Sequence, residues 1–413
     1  MSMSKGDPQL LKETNRRLVL EIIERHYSVS RASIARSSGL SATTVASIVN
    51  DLVDEGLVTV IGPGLSRRGR RPIMYRINRE ARYVVGVEVG GSCLTVIVTD
   101  LGLNVVSETH VDVGDLEGQE LVRTLYQSIG QGIRESGVDS GKVIGIGVAS
   151  PGLIHNQSGT VIQAVNLGWQ DIPLKGIIEH ELGLPTYVEN VNNAAALGEY
   201  ELALDRKVSR FLYMNIGRGV GAGLIVNGDI LKGAAVSASE IGHFVVDRHG
   251  ERCSCGARGC LETVVSVRAI ESQASRIAAR EAENGSCGLL GPNQGAITLD
   301  VLADAAQNGD TAALGVFTQA GEWLGIVVAG LINLLNPEVI MLGGRVIRAA
   351  ENVLLNTVRN IARQNSLPSF FGMTTFMTPK LGDLSSSMGA VSTVIQGEFG
   401  RNFISSERSS EER

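Results

Sequence analysis

Residues 240–262 read EIGHFVVDRHGERCSCGARGCLE, and everything around them is best read outward from this run. His243 is followed by Cys253, Cys255 and Cys260, three of the chain's five cysteines. One imidazole and three thiolates are a full tetrahedral set for structural zinc, and so short a loop leaves little room for water as a fourth ligand. Buried or redox-active cysteine explains the histidine poorly, whereas Gly256 and Gly259 supply the tight turns that a metal knuckle over 243–260 needs. Cys93 and Cys287 stand outside the pattern and read as ordinary thiols. Cysteines clustered in this way argue against a disulfide scaffold and suit a reducing cytoplasm.

The chain has 413 residues, too many for one domain and enough for two or three. Hydrophobic residues make up 43% and charged residues 19%, which implies a soluble chain with a sizeable core. The most apolar stretch, Gly325 to Leu335, is about half a membrane span and contains Asn333, so no membrane partner is expected. The opening MSMSKGDPQLLKE lacks the apolar centre of a secretory signal. Fifty glycines and only 4% aromatics suggest many tight turns and close backbone approaches to a ligand. The net charge of −6 conceals an asymmetry: residues 1–79 carry 13 Lys and Arg against 7 Asp and Glu, and the rest 24 against 36. A basic head on an acidic body suggests that the head meets a polyanion.

Within residues 1–79, QLLKETNRRLVLEIIERH places Leu11, Leu18, Ile22 and Ile23 at helical spacing. Ser30 can cap a short helix to Ser37, Gly39 breaks it, and Ser41 caps a second helix that turns Val45, Ile48, Val49 and Leu52 inward. That is a helix-turn-helix, with Ser41, Thr43, Thr44 and Ser47 placed for a DNA major groove. LVTVIG and IMYRIN then flank a turn carrying Arg67, Arg68, Arg70 and Arg71, a hairpin wing whose arginines suit an A·T-rich minor groove. Each feature alone is also what a helical hairpin or a solvated charge run looks like; together with the charge asymmetry they point to double-stranded operator DNA.

From Arg82 the pattern becomes strand–turn–strand. YVVGVEVGG and CLTVIVTDLG are echoed by FLYMNIGRGVGAGLIVNG, with Gly90 and Gly217 as elbows and Asp100 and Asn227 as matching turn residues. Two such units predict a duplicated α/β body whose lobes enclose a cleft.

With EIGHF and CSCGARGCLE, the SPG loop at Ser150–Gly152, VENVNNAAALGE and LLNPEVIMLGG in this order, the chain resembles the ROK family of repressors, open reading frames and sugar kinases. The resemblance spans nearly the whole chain. It implies a winged helix-turn-helix at 1–79 followed by a two-lobed, actin-like (ribonuclease H-like) α/β sugar-kinase fold over 80–400. Lobe one is expected at about 80–195 plus 385–400, lobe two at about 196–384, and a disordered tail at 401–413. It further implies Asn190, Glu240, His243 and Glu262 as sugar-hydroxyl partners, with the Pro151–Gly152 loop covering one edge. Carboxylates and an amide suit vicinal hydroxyls, and a metal-bound histidine has its tautomer fixed.

The kinases of the family carry an aspartate base directly after the Glu-Asn pair, where this chain has Val191. Loss of general-base help costs about 10²–10⁴-fold. The phosphate loops are altered as well: Glu88-Val-Gly-Gly-Ser-Cys93 in place of Asp-x-Gly-Gly-Thr-Lys, Gly217-Arg218-Gly219 in place of Gly-Thr-Gly, and Arg345 after Gly343-Gly344. The expectation is a cytoplasmic regulator, a repressor of carbohydrate-utilisation genes answering to a monosaccharide or sugar derivative. It should hold structural Zn2+ and work as a homodimer or dimer of dimers. The alternative is an ATP-dependent sugar kinase that keeps a DNA-binding head. Residues 283–295, rich in Asn, Gly and Ser, are expected to form a mobile excursion.

Overall fold

Two serines begin the head's short helices, where their hydroxyls satisfy amides that a helix start leaves unpaired. The head comprises α1 (Pro8–Arg25), β1 (Val29–Ser30), α2 (Arg31–Ser38), α3 (Ala42–Asp54), β2 (Val58–Pro63) and β3 (Ile73–Ile77). Ser30 accepts from the Ser33 amide at 3.3 Å and Ser41 from the Thr44 amide at 3.1 Å. Gly39 closes α2 at φ +70°, a left-handed conformation that a side chain would strain. Val45, Ile48, Val49 and Leu52 are buried along α3, as their spacing predicts. In α1 the inward stripe starts later than expected: Leu11 is 61% exposed, and Val19, Leu20, Ile22 and Ile23 form the buried face. The strands pair in the order β1-β3-β2.

The structure, a computed structural model, describes residues 8–64, 71–204, 208–283, 297–400 and 403. Arg67, Arg68 and Arg70 of the wing, the expected excursion beyond Glu283 and the tail apart from Phe403 lie outside the described residues.

By its contacts the chain divides into two units, Met1–Arg206 with Ser386–Arg413, and Lys207–Ser385. The head therefore groups with the first unit. The body of unit one contains β4 (Tyr83–Val89), β5 (Cys93–Asp100), β6 (Val105–Asp112), α4 (Gly118–Glu135) and β7 (Val143–Ser150). A small sheet of β8 (Leu153–Ile154), β9 (Val161–Ala164) and β10 (Trp169–Ile172) follows, then α5 (Leu174–Leu182), β11 (Thr186–Asn190) and α6 (Val191–Ala203). Unit two contains β12 (Arg210–Ile216), β13 (Val220–Val226), β14 (Asp229–Ile230), α7 (Glu262–Val265), α8 (Val267–Glu283), α9 (Leu299–Gln307) and α10 (Thr311–Leu335). It is completed by β15 (Val339–Gly343), α11 (Arg345–Ala349), α12 (Glu351–Asn365), α13 (Pro368–Phe371) and β16 (Thr375–Met377). The last helix, α14 (Ser385–Phe399), returns to unit one.

The duplication expected from the glycine elbows is present in the topology. One sheet runs β6-β5-β4-β7-β11 and the other β14-β13-β12-β15-β16. In each, the first strand after the elbow is antiparallel to the one before it, and the next partner is parallel.

What packs on the two sheets differs. In unit one, α14 lies so close that a Cβ on Gly86 or Gly147 would collide with the carbonyl of Ser387 or Ala390, and a Cβ on Gly389 with the carbonyl of Ala194 in α6. At its far end the Tyr187 hydroxyl donates to Glu398 at 2.8 Å, the Arg17 guanidinium donates to the Gly397 carbonyl at 3.4 Å, and Phe403 stacks on Phe399 at 4.7 Å. In unit two the core is built on α10, which buries Phe317, Leu324, Val328 and Ile332 and packs Gly321 and Gly325 against Thr357 and Ile361 of α12. At 25 residues α10 is long and apolar enough to cross a membrane, well beyond the short stretch that stands out in the sequence. Its burial accounts for that composition.

Candidate functional site

The knuckle starts from backbone turns. Val245 bridges to Cys260 and Arg252 to Arg258, the Cys253 amide donates to the Ala257 carbonyl at 2.8 Å, and Gly256 takes φ +95°. Gly259, at φ +68°, lies directly on the Asp247 carbonyl, where no side chain fits. These turns bring one ligand atom each from His243, Cys253, Cys255 and Cys260 to within 4.8 Å of one another. Cys253 Sγ lies 3.6 Å from His243 Nδ1, and Cys255 Sγ 3.7 Å from Cys260 Sγ. Ligands about 2.3 Å from a tetrahedral ion lie about 3.7 Å from one another, so the spacing matches a metal and is far too long for a disulfide. Burial pushes the Cys260 thiol up to about 12, and the sulfurs of Cys255 and Cys253 add to it. Thiolates crowded in this way need a cation to offset them.

Beside the knuckle, Glu240 precedes the turn Ile241–His243, and Glu262 opens α7. Burial raises the pKa of Glu240, His243 lowers it, and the carboxylate of Glu262 raises it. Unit two thus brings Glu240, His243 and Glu262 into one electrostatic neighbourhood. Glu262 Oε2 also accepts from the Val220 amide at 3.1 Å, tying the expected sugar carboxylate to the end of the Gly217–Gly219 loop. The sequence offered no signal for that link.

Unit one brings Asn190 and Gly152 together. Asn190 is buried at the start of α6; its Oδ1 accepts from the amides of Asn192 at 2.9 Å and Asn193 at 3.4 Å, and its Nδ2 donates to the Gly152 carbonyl at 3.0 Å. The Asn190 oxygen is therefore engaged in capping, and its free polar capacity is the second Nδ2 hydrogen. Glu189, which sequence reading passed over, accepts from the Asn190 amide and from Asn193 Nδ2, each at 3.0 Å, and so orients this corner. Next to it Val191 packs against a cluster of Ala149, Ala194 and Ala390. The first elbow is closed by the Gly90 amide donating to the Cys93 carbonyl at 3.0 Å, the second by the Gly217 amide donating to the Gly219 carbonyl at 2.9 Å. Arg345 faces Asp300 at 3.4 Å.

In the head, the Ser41 hydroxyl lies 2.8 Å from the hydroxyls of both Thr43 and Thr44. Ser41 and Thr44 are thus occupied in starting α3, while Thr43 and Ser47 are exposed on its outer face and Arg71 is exposed at the base of the wing.

A family model described as the ROK family matches residues 84–397, and one described as winged helix-turn-helix DNA-binding matches residues 12–59. This chain is a member of the ROK family. It is 32% identical over 94% of its length to the xylose repressor of Caldicellulosiruptor bescii, 97% of which is covered. It is 33% identical to the glucokinase of Halalkalibacterium halodurans, over 77% of this chain and 96% of that one. Among solved structures, a ROK family transcriptional regulator homologous to the E. coli MLC protein superposes with a TM-score of 0.82 at 27% identity, covering 95% of this chain and 98% of that one. The ROK body thus occurs here with its head attached, in the arrangement of the regulators.

Proposed function

We propose that this ROK protein is a sugar-responsive transcriptional repressor of carbohydrate-utilisation genes, with a degenerate, non-catalytic kinase site. The observation that carries the reading is the pairing of a winged head with Val191 at the kinase-base position, where its side chain packs among alanines and cannot accept a proton. Asn190, Glu240, His243, Glu262 and the Gly152 loop recognise a monosaccharide or sugar derivative. Zinc, held by His243, Cys253, Cys255 and Cys260, fixes the histidine and the knuckle; it is structural, since four protein ligands leave no open position. Thr43, Ser47 and the wing arginines contact operator DNA, with Ser41 and Thr44 shaping the helix end. The protein acts in the cytoplasm as a dimer or dimer of dimers on paired half-sites.

Effector action requires only that the sugar bind one arrangement of the protein better than another. The test is an operator titration with and without each of D-xylose, D-glucose and N-acetyl-D-glucosamine, together with a coupled assay of ADP release. An operator Kd that changes with a sugar that also raises the melting temperature supports the repressor. Sugar-dependent ATP turnover of about 1 s⁻¹ or faster overturns it in favour of a kinase with a DNA-binding head.

A further inference from the structure

The head joins the body of unit one through residues 78–82, a stretch without glycine that folds as the turn Arg79–Ala81. Its near side is held to the head: the Asn78 amide donates to the Leu57 carbonyl and Asn78 Nδ2 to the Gly56 carbonyl, each at 2.9 Å. Its far side is held to the body, where the Leu101 amide donates to the Arg79 carbonyl at 3.0 Å. The Arg79 side chain lies across the β5–β6 turn so closely that a Cβ on Gly102 would sit 2.5 Å from its Cδ. Its guanidinium carbon is 6.0 Å from the centre of the Tyr27 ring, on the head.

Both surfaces that this arginine touches are strained. Tyr27 has φ +54° and Leu103 φ +62°, conformations that non-glycine residues keep only where their surroundings impose them. Beside the contact is a cavity of about 380 Å³, lined by Glu24, Tyr27, Thr59 and Arg76 of the head and by Asp100 and Asn104 of the body. The joint is therefore closed by one side chain and open next to it. A second attachment, Arg17 on the Gly397 carbonyl, supplies a pivot.

We infer that Arg79 is a positioning residue that latches the winged head to lobe one, holding Tyr27 and the Leu101–Leu103 turn together so that a change in the body reaches the DNA-binding surface. This rests on the repressor reading above. The route is short and stiff: β4 begins just after Arg79 and pairs with β7, which runs into the Gly152 loop.

The test uses the full-length protein and three variants. Arg79→Ala removes the latch, Gly102→Val displaces it without removing the charge, and Arg76→Ala removes a neighbouring charge on the same cavity. Hydrogen exchange of segments 24–30 and 100–104 is measured without ligand. Operator Kd and melting temperature are measured with and without D-xylose, D-glucose and N-acetyl-D-glucosamine. Arg79→Ala and Gly102→Val are expected to exchange about three- to tenfold faster in both segments, while Arg76→Ala does not. Both should keep the wild-type thermal response to sugar but lose the effect of sugar on operator Kd. Unchanged exchange, or an equal effect of Arg76→Ala, overturns the latch; faster exchange with the operator response intact overturns the coupling. If no sugar acts on the wild type, it is the repressor reading that fails, and the exchange data still decide whether Arg79 latches the head.

Discussion

The two units build the same five-strand order and spend it differently. Unit one covers its sheet with a helix seated on glycines, and at the end of β11 it has exchanged an acid for Val191 among alanines. Unit two covers its sheet with the thick pair α10 and α12, and it keeps Glu240, His243 and Glu262 together beside a metal knuckle. A duplicated scaffold can thus lose chemistry in one half while the other retains its recognition groups. The reason is that the two depend on different things. Recognition needs positioned hydroxyl partners, whereas phosphoryl transfer also needs a base and a phosphate cradle.

The sharpest way to break this contrast is at the knuckle. Cys255→Ser is expected to drop zinc from one per chain to a small fraction by elemental analysis. It should also melt unit two early, since metal binding in small zinc modules contributes about 10–16 kcal/mol. The sugar response should disappear with it. Zinc content well below one per chain in the unsubstituted protein, without chelation, would remove the metal from the account.

In unit one the matching perturbation is Gly147→Ala, which drives a methyl into the α14 backbone. Overpacking of this kind costs about 1–3 kcal/mol, and denaturant unfolding should show it in the transition that includes the head. A neutral result would mean that α14 is not seated as described.

Val191→Asp tests whether the exchange of acid for valine is the whole difference between sensor and enzyme. Placing a carboxylate against Ala149, Ala194 and Ala390 should cost about 1–3 kcal/mol and yield no appreciable kinase, because the loops at Cys93, Arg218 and Arg345 remain altered. Measurable sugar phosphorylation by this variant would show that one residue separates the two activities.

The smallest effect concerns Tyr187, whose pKa burial and the Glu398 carboxylate raise from 10.0 to about 12. Between those values the unfolded chain has lost the proton and the folded chain keeps it, so stability falls as pH rises through this window. In Tyr187→Phe that part of the alkaline slope should vanish from a pH series of melting temperatures.

The features legible in the sequence are those written in local spacing. Ser30, Gly39 and Ser41 announce the head because caps act within a few residues, and the four metal ligands announce themselves because one short loop carries them all. The glycine elbows predicted a duplication whose strand order the fold displays. Contacts made between distant segments were not legible. In VIGIGVAS, Gly145 and Gly147 read as ordinary strand residues, and only the approach of α14 explains them. Asn190 read as a sugar ligand, yet most of its polar capacity goes to starting α6 and holding Gly152. Leu11 read as core because its spacing fits, but the buried stripe of α1 begins further along.

The close seating of α14 has a consequence for biosynthesis. Unit one is interrupted in the chain by the whole of unit two, and α14 is made after both. A nascent chain that has reached residue 385 can already contain every strand and helix of unit two, while the glycine-lined face of the first sheet, at Gly86 and Gly147, still waits for its cover. The head's pivot at Gly397 and the Tyr187–Glu398 bond arrive later still. A ribosome stalled short of α14 therefore carries a complete helix-turn-helix on an unfinished support, and a head supported for DNA binding exists only once nearly the whole message has been read.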